Sequence, residues 1–229
     1  MARSGFDWLF IDTEHGPFET LECQRMIQAT ADRCACIVRV PQADELHIKK
    51  ALDIGADGIV APRVNSAQHA QSVVDSCKYP PAGRRSVGLA RAQGYGLDFT
   101  DYLATANDLI SVVIQAEHVE AVMNIDSIVS VGGIDAVLIG PYDLSASMGK
   151  MGEVSDPEVV DAIDRVARAC KSANVKLGFF GVAPEDIKPY IDEGYSLIVC
   201  GTDAMFLASG AANTINQLRL QEKTHEKYC

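Results

Sequence analysis

Two acidic residues, Glu117 and Asp143, stand just beyond short apolar runs, Val112-Val113-Ile114-Gln115-Ala116-Glu117 and Val137-Leu138-Ile139-Gly140-Pro141-Tyr142-Asp143. Carboxylates arriving from two neighbouring strand ends, with water in the remaining positions, suit a hard divalent cation such as Mg²⁺, Mn²⁺ or Co²⁺. A pair of turn-capping carboxylates is the other reading of the same pattern.

A second acidic cluster follows the first apolar run, in Ile11-Asp12-Thr13-Glu14-His15-Gly16-Pro17. A carboxylate three residues before a histidine can hold the imidazole in one tautomer and raise its basicity, so Asp12 and His15 form a candidate general-base dyad. A turn cap at Asp12 beside a surface His15 fits the same spacing. Arg39 ends the apolar run Ala35-Cys36-Ile37-Val38-Arg39. A buried guanidinium needs an anionic partner, either a substrate oxygen or a carboxylate. Gly140, Pro141 and the turn opening a helix at Asp143 can aim main-chain N–H groups at a substrate carboxylate, which makes Tyr142 and Asp143 candidate substrate-binding residues. His47, His69 and His118 read as solvated, as do Arg84 and Arg85 in a loop. The sequence carries no Gly-rich phosphate loop, nucleophile elbow or His-Glu-x-x-His helix.

These residues need a scaffold that brings strand ends together. Strands are predicted over Phe6–Asp12, Cys34–Val40, Gly58–Pro62, Ile110–Glu117, Ala136–Pro141, Lys176–Gly181 and Leu197–Gly201, without the polar alternation of a solvated sheet. Helical spacing falls between them, over Glu19–Ala31, Glu45–Ile54, Ala67–Cys77, His118–Val129, Pro157–Ala173, Pro184–Glu193 and Ala204–Leu218. Ser155-Asp156-Pro157-Glu158 supplies a helix start, and Gly55 and Gly194 supply stops. The alternation predicts an α/β fold, a TIM-type (β/α)8 barrel showing seven of its eight strands, with the first βα unit missing and the candidate residues on its C-terminal rim. Lys78 to about Gly96, with two prolines, four glycines and three arginines, reads as a long lid or interface loop.

One barrel domain over 1–229 is expected, with 218–229 a fraying tail. A formal net charge of −11 disfavours nucleic acid and anionic membranes as partners. No apolar run reaches the roughly 20 residues of a membrane span and no signal peptide opens the chain, so a cytoplasmic protein is expected. The seven cysteines are scattered, several within apolar runs, and read as reduced, buried small hydrophobes rather than disulfide or zinc ligands.

Taken in order, Gly5-Phe-Asp-Trp-Leu-Phe-Ile-Asp12-Thr-Glu-His15-Gly16, Leu52-Asp53-Ile-Gly-Ala56, Tyr79-Pro-Pro-x-Gly83, Gln115-x-Glu117, Gly140-Pro-x-Asp143-Leu-Ser-Ala-Ser147 and Gly178-Phe-Phe-Gly-Val-Ala-Pro184 resemble the HpcH/HpaI family of class II pyruvate aldolases, over nearly the whole chain. The resemblance implies a hexamer-forming barrel that reversibly cleaves 4-hydroxy-2-oxo acids to pyruvate, or a close 2-oxo acid, and an aldehyde. It puts the metal ligands at Glu117 and Asp143, a substrate-contacting glutamine at Gln115, the base dyad at Asp12 and His15, a charge-stabilising arginine at Arg39, and at Asp53 an aspartate reaching a neighbouring subunit's site. Three departures stand out: family members normally begin with a further strand and helix, proline often follows the arginine directly where Val40 precedes Pro41 here, and His118 replaces a small residue.

The implied mechanism has a divalent cation gripping the 2-oxo acid, the cation and Arg39 stabilising an enolate, and His15 moving the proton of the hydroxyl, with no Schiff-base lysine. A citrate-lyase-type CoA-ester lyase, a decarboxylase or cyclase using the same enolate, and an inactive subunit serving only assembly are the competing readings.

Overall fold

The computed structural model describes the backbone of residues 1–225 and the side chains of residues 1–219. Seven strands form where apolar runs were expected: β1 (Trp8–Asp12), β2 (Ala35–Arg39), β3 (Gly58–Ala61), β4 (Ser111–Ala116), β5 (Ala136–Ile139), β6 (Lys176–Gly181) and β7 (Leu197–Cys200). Every neighbouring pair is parallel and the spatial order is the chain order, β1 to β7. The sheet curls into a nearly closed barrel with helices outside. Among the described residues no strand bridges β1 and β7, so the wall has a seam there.

Among the described residues ten α-helices connect and cover the strands: α1 (Thr20–Thr30), α2 (Glu45–Asp53), α3 (Ala67–Cys77), α4 (Phe99–Leu109), α5 (Val119–Met123), α6 (Ile125–Val129), α7 (Pro141–Ser147), α8 (Pro157–Ala173), α9 (Pro184–Asp192) and α10 (Asp203–His225). Three departures from the expected helices have physical reasons. The segment from His118 breaks at Asn124, which ends α5 and begins α6, its amide donating to the carbonyl of Asn65. The helix α7 is about two turns long and opens on Pro141, too brief to show a period. The helix α4 follows the long loop directly; it fully buries Ala106 and half-buries Phe99, Tyr102 and Leu103 at helical spacing on the same face. The expected fraying from Leu218 meets a helix described to His225, and 226–229 lie outside the described residues. Asp156 caps α8, accepting from the Glu158 N–H, with Pro157 in the first turn. Among the described residues six cysteines are free thiols, and Cys229 lies outside them.

The long β3–β4 connection is less of a lid than its composition suggested. Lys78 is buried, and its ammonium donates to the carbonyls of Asn107 and Ile110 at 2.7 Å each. The Asn107 side chain bonds both the N–H and the C=O of Tyr79. Arg85, read from sequence as solvated, is 2% exposed; its guanidinium lies 4.6 Å from the Tyr79 ring and donates to Asp53 (2.9 Å) and the Tyr102 hydroxyl (3.1 Å). Burial becomes tolerable because a carboxylate and two aromatic faces replace water around the charge. The described residues form no helix long and apolar enough to cross a membrane.

Two apolar layers result. Between sheet and helices lies the large core; inside the barrel a smaller cluster gathers Ile37, Val60, Val113, Ala136, Leu138 and Val199, with Trp8, Phe10, Phe180 and Leu197 against it. Alternation along each strand carries the same inner face onward from Phe10 to Asp12, from Ile37 to Arg39, from Val113 to Gln115 and from Leu138 to Gly140. The inward positions at mid-strand are therefore apolar, and those at the C-terminal tips of β1, β2 and β4 are the polar Asp12, Arg39 and Gln115.

Gly178 lies on the inner face of β6, where an added Cβ would sit 2.7 Å from the Leu197 carbonyl and 3.0 Å from Leu138 Cδ1. Gly178→Ala is expected to cost about 1–3 kcal/mol through overpacking, read as a lower urea midpoint at unchanged m-value; a midpoint equal to the parent's would mean the backbone approach is not a constraint.

Candidate functional site

The last residues of β1 and β2, Asp12 and Arg39, are register partners. Their side chains meet in a two-pronged ion pair, Nε to Oδ1 at 2.9 Å and Nη2 to Oδ2 at 2.6 Å. The third guanidinium nitrogen, Nη1, lies 3.3 Å from Glu14, and the plane sits 5.2 Å from the Phe10 ring. Burial works against ionised Asp12, but the Arg39 hydrogen bonds and charge overcome it and hold the carboxyl below its usual value. Arg39 thus finds the anionic partners that its burial demands.

The expected Asp12–His15 dyad is not formed by this geometry. Asp12 Oδ1 accepts from the main-chain N–H groups of Glu14 (3.0 Å) and His15 (3.3 Å), capping the turn, while both carboxyl oxygens are committed to Arg39. A guanidinium fork outcompetes a distant imidazole for the same carboxylate. His15 is exposed on the rim, and its ring makes no hydrogen bond among the described residues.

Opposite this pair, Glu117 is buried at 5% exposure just past β4. Its two oxygens have separate donors: the Arg63 main-chain N–H reaches Oε1 at 2.8 Å and the Gln115 amide donates to Oε2. Burial pushes the Glu117 carboxyl up to about 7; the Arg63 N–H opposes the rise, the charges of Glu14 and Asp143 add to it, and Arg39 opposes it. Glu14 is raised too, first by burial, with Arg39 and His15 pulling down and Asp12 and Asp143 pushing up. Asp143 itself is exposed in the first turn of α7, next to the 41% exposed Tyr142.

Two features of this cluster ask for a cation. Glu117 feels the charges of Glu14 and Asp143, and Glu14 that of Asp143, with Arg39 the one guanidinium opposing them, and Gln115 Oε1 is buried without a partner. Space is also reserved: a Cβ on Gly140 would lie 3.0 Å from Gln115 Nε2 and 3.1 and 3.3 Å from Glu117 Cβ and Oε2. Among the described residues no group of three or more His, Cys, Asp or Glu forms a ready-made metal cage. The donors fit a hard cation held by two carboxylates and completed by small oxygen ligands. Among the expected residues, Asp12, Arg39, Gln115, Glu117 and Asp143 share this rim with His15 and Tyr142 at its edge. Asp53 does not: it ends α2, beside the start of β3 and so at the other end of the barrel, where it pairs with Arg85.

The family model described as HpcH/HpaI aldolase/citrate lyase matches residues 1–210. The chain belongs to that family. This HpcH/HpaI chain is 39% identical over 209 residues to a 4-hydroxy-2-oxovalerate aldolase of Rhodococcus jostii (strain RHA1), covering 90% of this chain and 81% of that one. It is 38% identical over 223 residues to a hydroxypyruvate/pyruvate aldolase of Cupriavidus necator, covering 96% and 82%. A crystal structure of an HpcH/HpaI aldolase/citrate lyase family protein from Burkholderia cenocepacia J2315 superposes with a TM-score of 0.91 at 32% identity, covering 95% and 88%. The enzyme class expected from the sequence, a carbon–carbon lyase, is that of the family and of these aldolases.

Two contributors escaped sequence reasoning. Glu14 lay inside a quoted motif, in the bend just past β1, where strand alternation no longer says which way a side chain faces. Arg63 works through its main chain, which no residue type announces.

In protein freed of metal, the fold favours protonated Glu117, so this group's stabilisation is full below its ordinary value near 4.5 and lost as pH rises through about 7. Urea unfolding is expected to show the parent losing about 1–3 kcal/mol more than Glu117→Gln between pH 5 and pH 8. Parallel pH profiles would mean the carboxyl is not shifted.

Proposed function

We propose that this chain is a metal-dependent class II aldolase that reversibly cleaves 4-hydroxy-2-oxo acids to pyruvate, or a close 2-oxo acid, and an aldehyde. The observation that carries this reading is the buried Glu117, with one donor on each oxygen, uncompensated acidic neighbours and Arg39 facing it. Glu117 and Asp143 would hold Mg²⁺, Mn²⁺ or Co²⁺, and the family's aldolase relatives support the reaction class. Bound there, the cation would supply Lewis-acid polarisation of a 2-oxo acid.

The chain's own residues do the rest. Arg39 is locked by Asp12 and cannot swing away, so its positive charge is in place before negative charge develops on the substrate's keto oxygen. A lysine would lose the fork that fixes that position. Gln115 spends its amide N–H on Glu117 and leaves Oε1 without a donor, which a substrate hydroxyl or a water satisfies. Tyr142 and Asp143, in the exposed first turn of α7, border the substrate's carboxylate end. His15 takes the proton of the 4-hydroxyl from its exposed rim position. Asp53 of a neighbouring subunit reaches this rim in a homo-oligomer, a hexamer or trimer of dimers. The enzyme acts in the cytoplasm on small molecules, with neither nucleic acid nor membrane as partner. Gly140 keeps the space beside Gln115 and Glu117 clear.

Pyruvate release from a panel of 4-hydroxy-2-oxo acids tests the reading. Activity is expected to vanish on chelation, to return with Mg²⁺, Mn²⁺ or Co²⁺, and to fall at least ~10²-fold in Glu117→Gln. Activity surviving exhaustive chelation, borohydride trapping of a lysine adduct, or faster cleavage of a CoA thioester than of any free acid would each sink it. Arg39→Lys is expected to lower kcat by roughly 10²-fold with a smaller change in KM; an unchanged kcat would remove Arg39 from charge stabilisation.

A further inference from the structure

Five described residues other than glycine hold a left-handed backbone: Ala31, Asp32, Arg63, Tyr95 and Asn174. Four of these serve turns. Ala31 is the C-cap of α1 with Asp32 following it, Asn174 is the C-cap of α8, and Tyr95 lies in the short 3-10 segment Arg91–Gly96. Arg63 is the exception. It stands two residues past β3 on the C-terminal rim with φ of +53°, in a region that residues other than glycine, asparagine and aspartate rarely visit.

The side chain does not account for this conformation. It is exposed and makes no hydrogen bond or ion pair among the described residues. The flanks do hold the segment: Pro62 and Val64 are buried, the Asn65 carbonyl accepts from Asn124, and the Asn65 amide donates to Glu120 at 3.3 Å. Between these anchors the chain reverses hand for one residue, and the N–H released points at Oε1 of Glu117, 2.8 Å away. Strained backbone persists where the surroundings over-determine it, and it collects at functional sites.

We infer that Arg63 is a positioning residue whose left-handed main chain, not its guanidinium, fixes the Glu117 carboxylate for a cation. With Gln115 on Oε2, the two donors occupy one site on each oxygen and set the carboxyl plane, leaving further lone pairs on both oxygens for a metal. Donors of this kind orient ligands, and losing one typically costs 10–100-fold in affinity. The inference rests on the proposed metal role of Glu117. It separates Arg63 from residues whose side chains bind substrate, because it predicts indifference to side-chain chemistry and sensitivity to backbone preference.

The test is Mn²⁺ affinity of the full chain, read by titration calorimetry and by the electron paramagnetic resonance of free Mn²⁺, alongside urea midpoints. Arg63→Gly and Arg63→Asn, which accept the left-handed region and keep the N–H, are expected to bind Mn²⁺ within about threefold of the parent. Arg63→Val and Arg63→Ile, whose β-branching opposes that region, are expected to bind about tenfold more weakly. Should the branched variants fail to fold, hydrogen exchange of the 58–66 segment gives the same answer: Mn²⁺ is expected to slow it in the parent and not in Glu117→Gln. Equal binding by all four variants, losses in Arg63→Gly and Arg63→Asn as large as in Arg63→Val, or exchange that Mn²⁺ leaves unchanged would overturn the role of Arg63 alone. A parent that binds no Mn²⁺, or a Glu117→Gln that binds it equally well, would overturn the metal reading and this inference with it.

Discussion

The rim is organised around the ion pair of Arg39 with Asp12. It joins the final residues of β1 and β2, and it sits above the apolar mid-strand interior of the barrel. A buried pair of this kind breaks roughly even in stability against well-packed apolar residues. Its structural effect is orientation. The fork decides where the guanidinium faces, commits both oxygens of Asp12, and thereby leaves the neighbouring His15 without the carboxylate that spacing had offered it. One strong bidentate contact determines which residues on the rim act together.

Glu117 shows the complementary constraint. A carboxylate at 5% exposure is costly when ionised, and here it is surrounded by Glu14 and Asp143 with Arg39 as the nearest relief. Two donors hold its oxygens, and Gly140 keeps the adjoining volume free of a side chain. The arrangement is a poor way to stabilise a protein and a good way to hold a positively charged ligand.

Much of this was legible in the amino-acid order because barrel strands advertise themselves. All seven appear as apolar runs, within two residues of their observed starts and ends, and inward alternation runs on to Asp12, Arg39 and Gln115. What stayed hidden depended on contacts far apart in the chain or on main-chain shape. Arg85 reads as loop charge until Tyr79, Tyr102 and Asp53 close around it. The choice of Asp12 between a histidine three residues away and an arginine on the next strand is settled only by strand register. Asp53, suggested by family likeness alone, stands at the end of a helix away from the rim, where among the described residues its side chain pairs with Arg85. The expected helices omit α4, which adjoins a long loop rich in glycine and proline, although Phe99, Tyr102, Leu103 and Ala106 hold helical spacing, and the brevity of α7 leaves only its opening turn at Asp143 legible.

The staple of Lys78 and Asn107 ties down the long crossover between β3 and β4. Each strand meets a chain neighbour across a shorter crossover on at least one side, but β3 and β4 are separated by α3, the long loop and α4. Closing a longer loop costs only slightly more entropy, yet the contacts that reward it arrive late. The crossover divides the chain into β1 to β3 and β4 to β7, which meet along the β3–β4 ladder, while the Lys78 ammonium on the carbonyls of Asn107 and Ile110 ties the ends of α3 and α4 together. Glu117 belongs to the second and the N–H of Arg63 to the first, so the carboxylate acquires its full set of donors only when those halves dock.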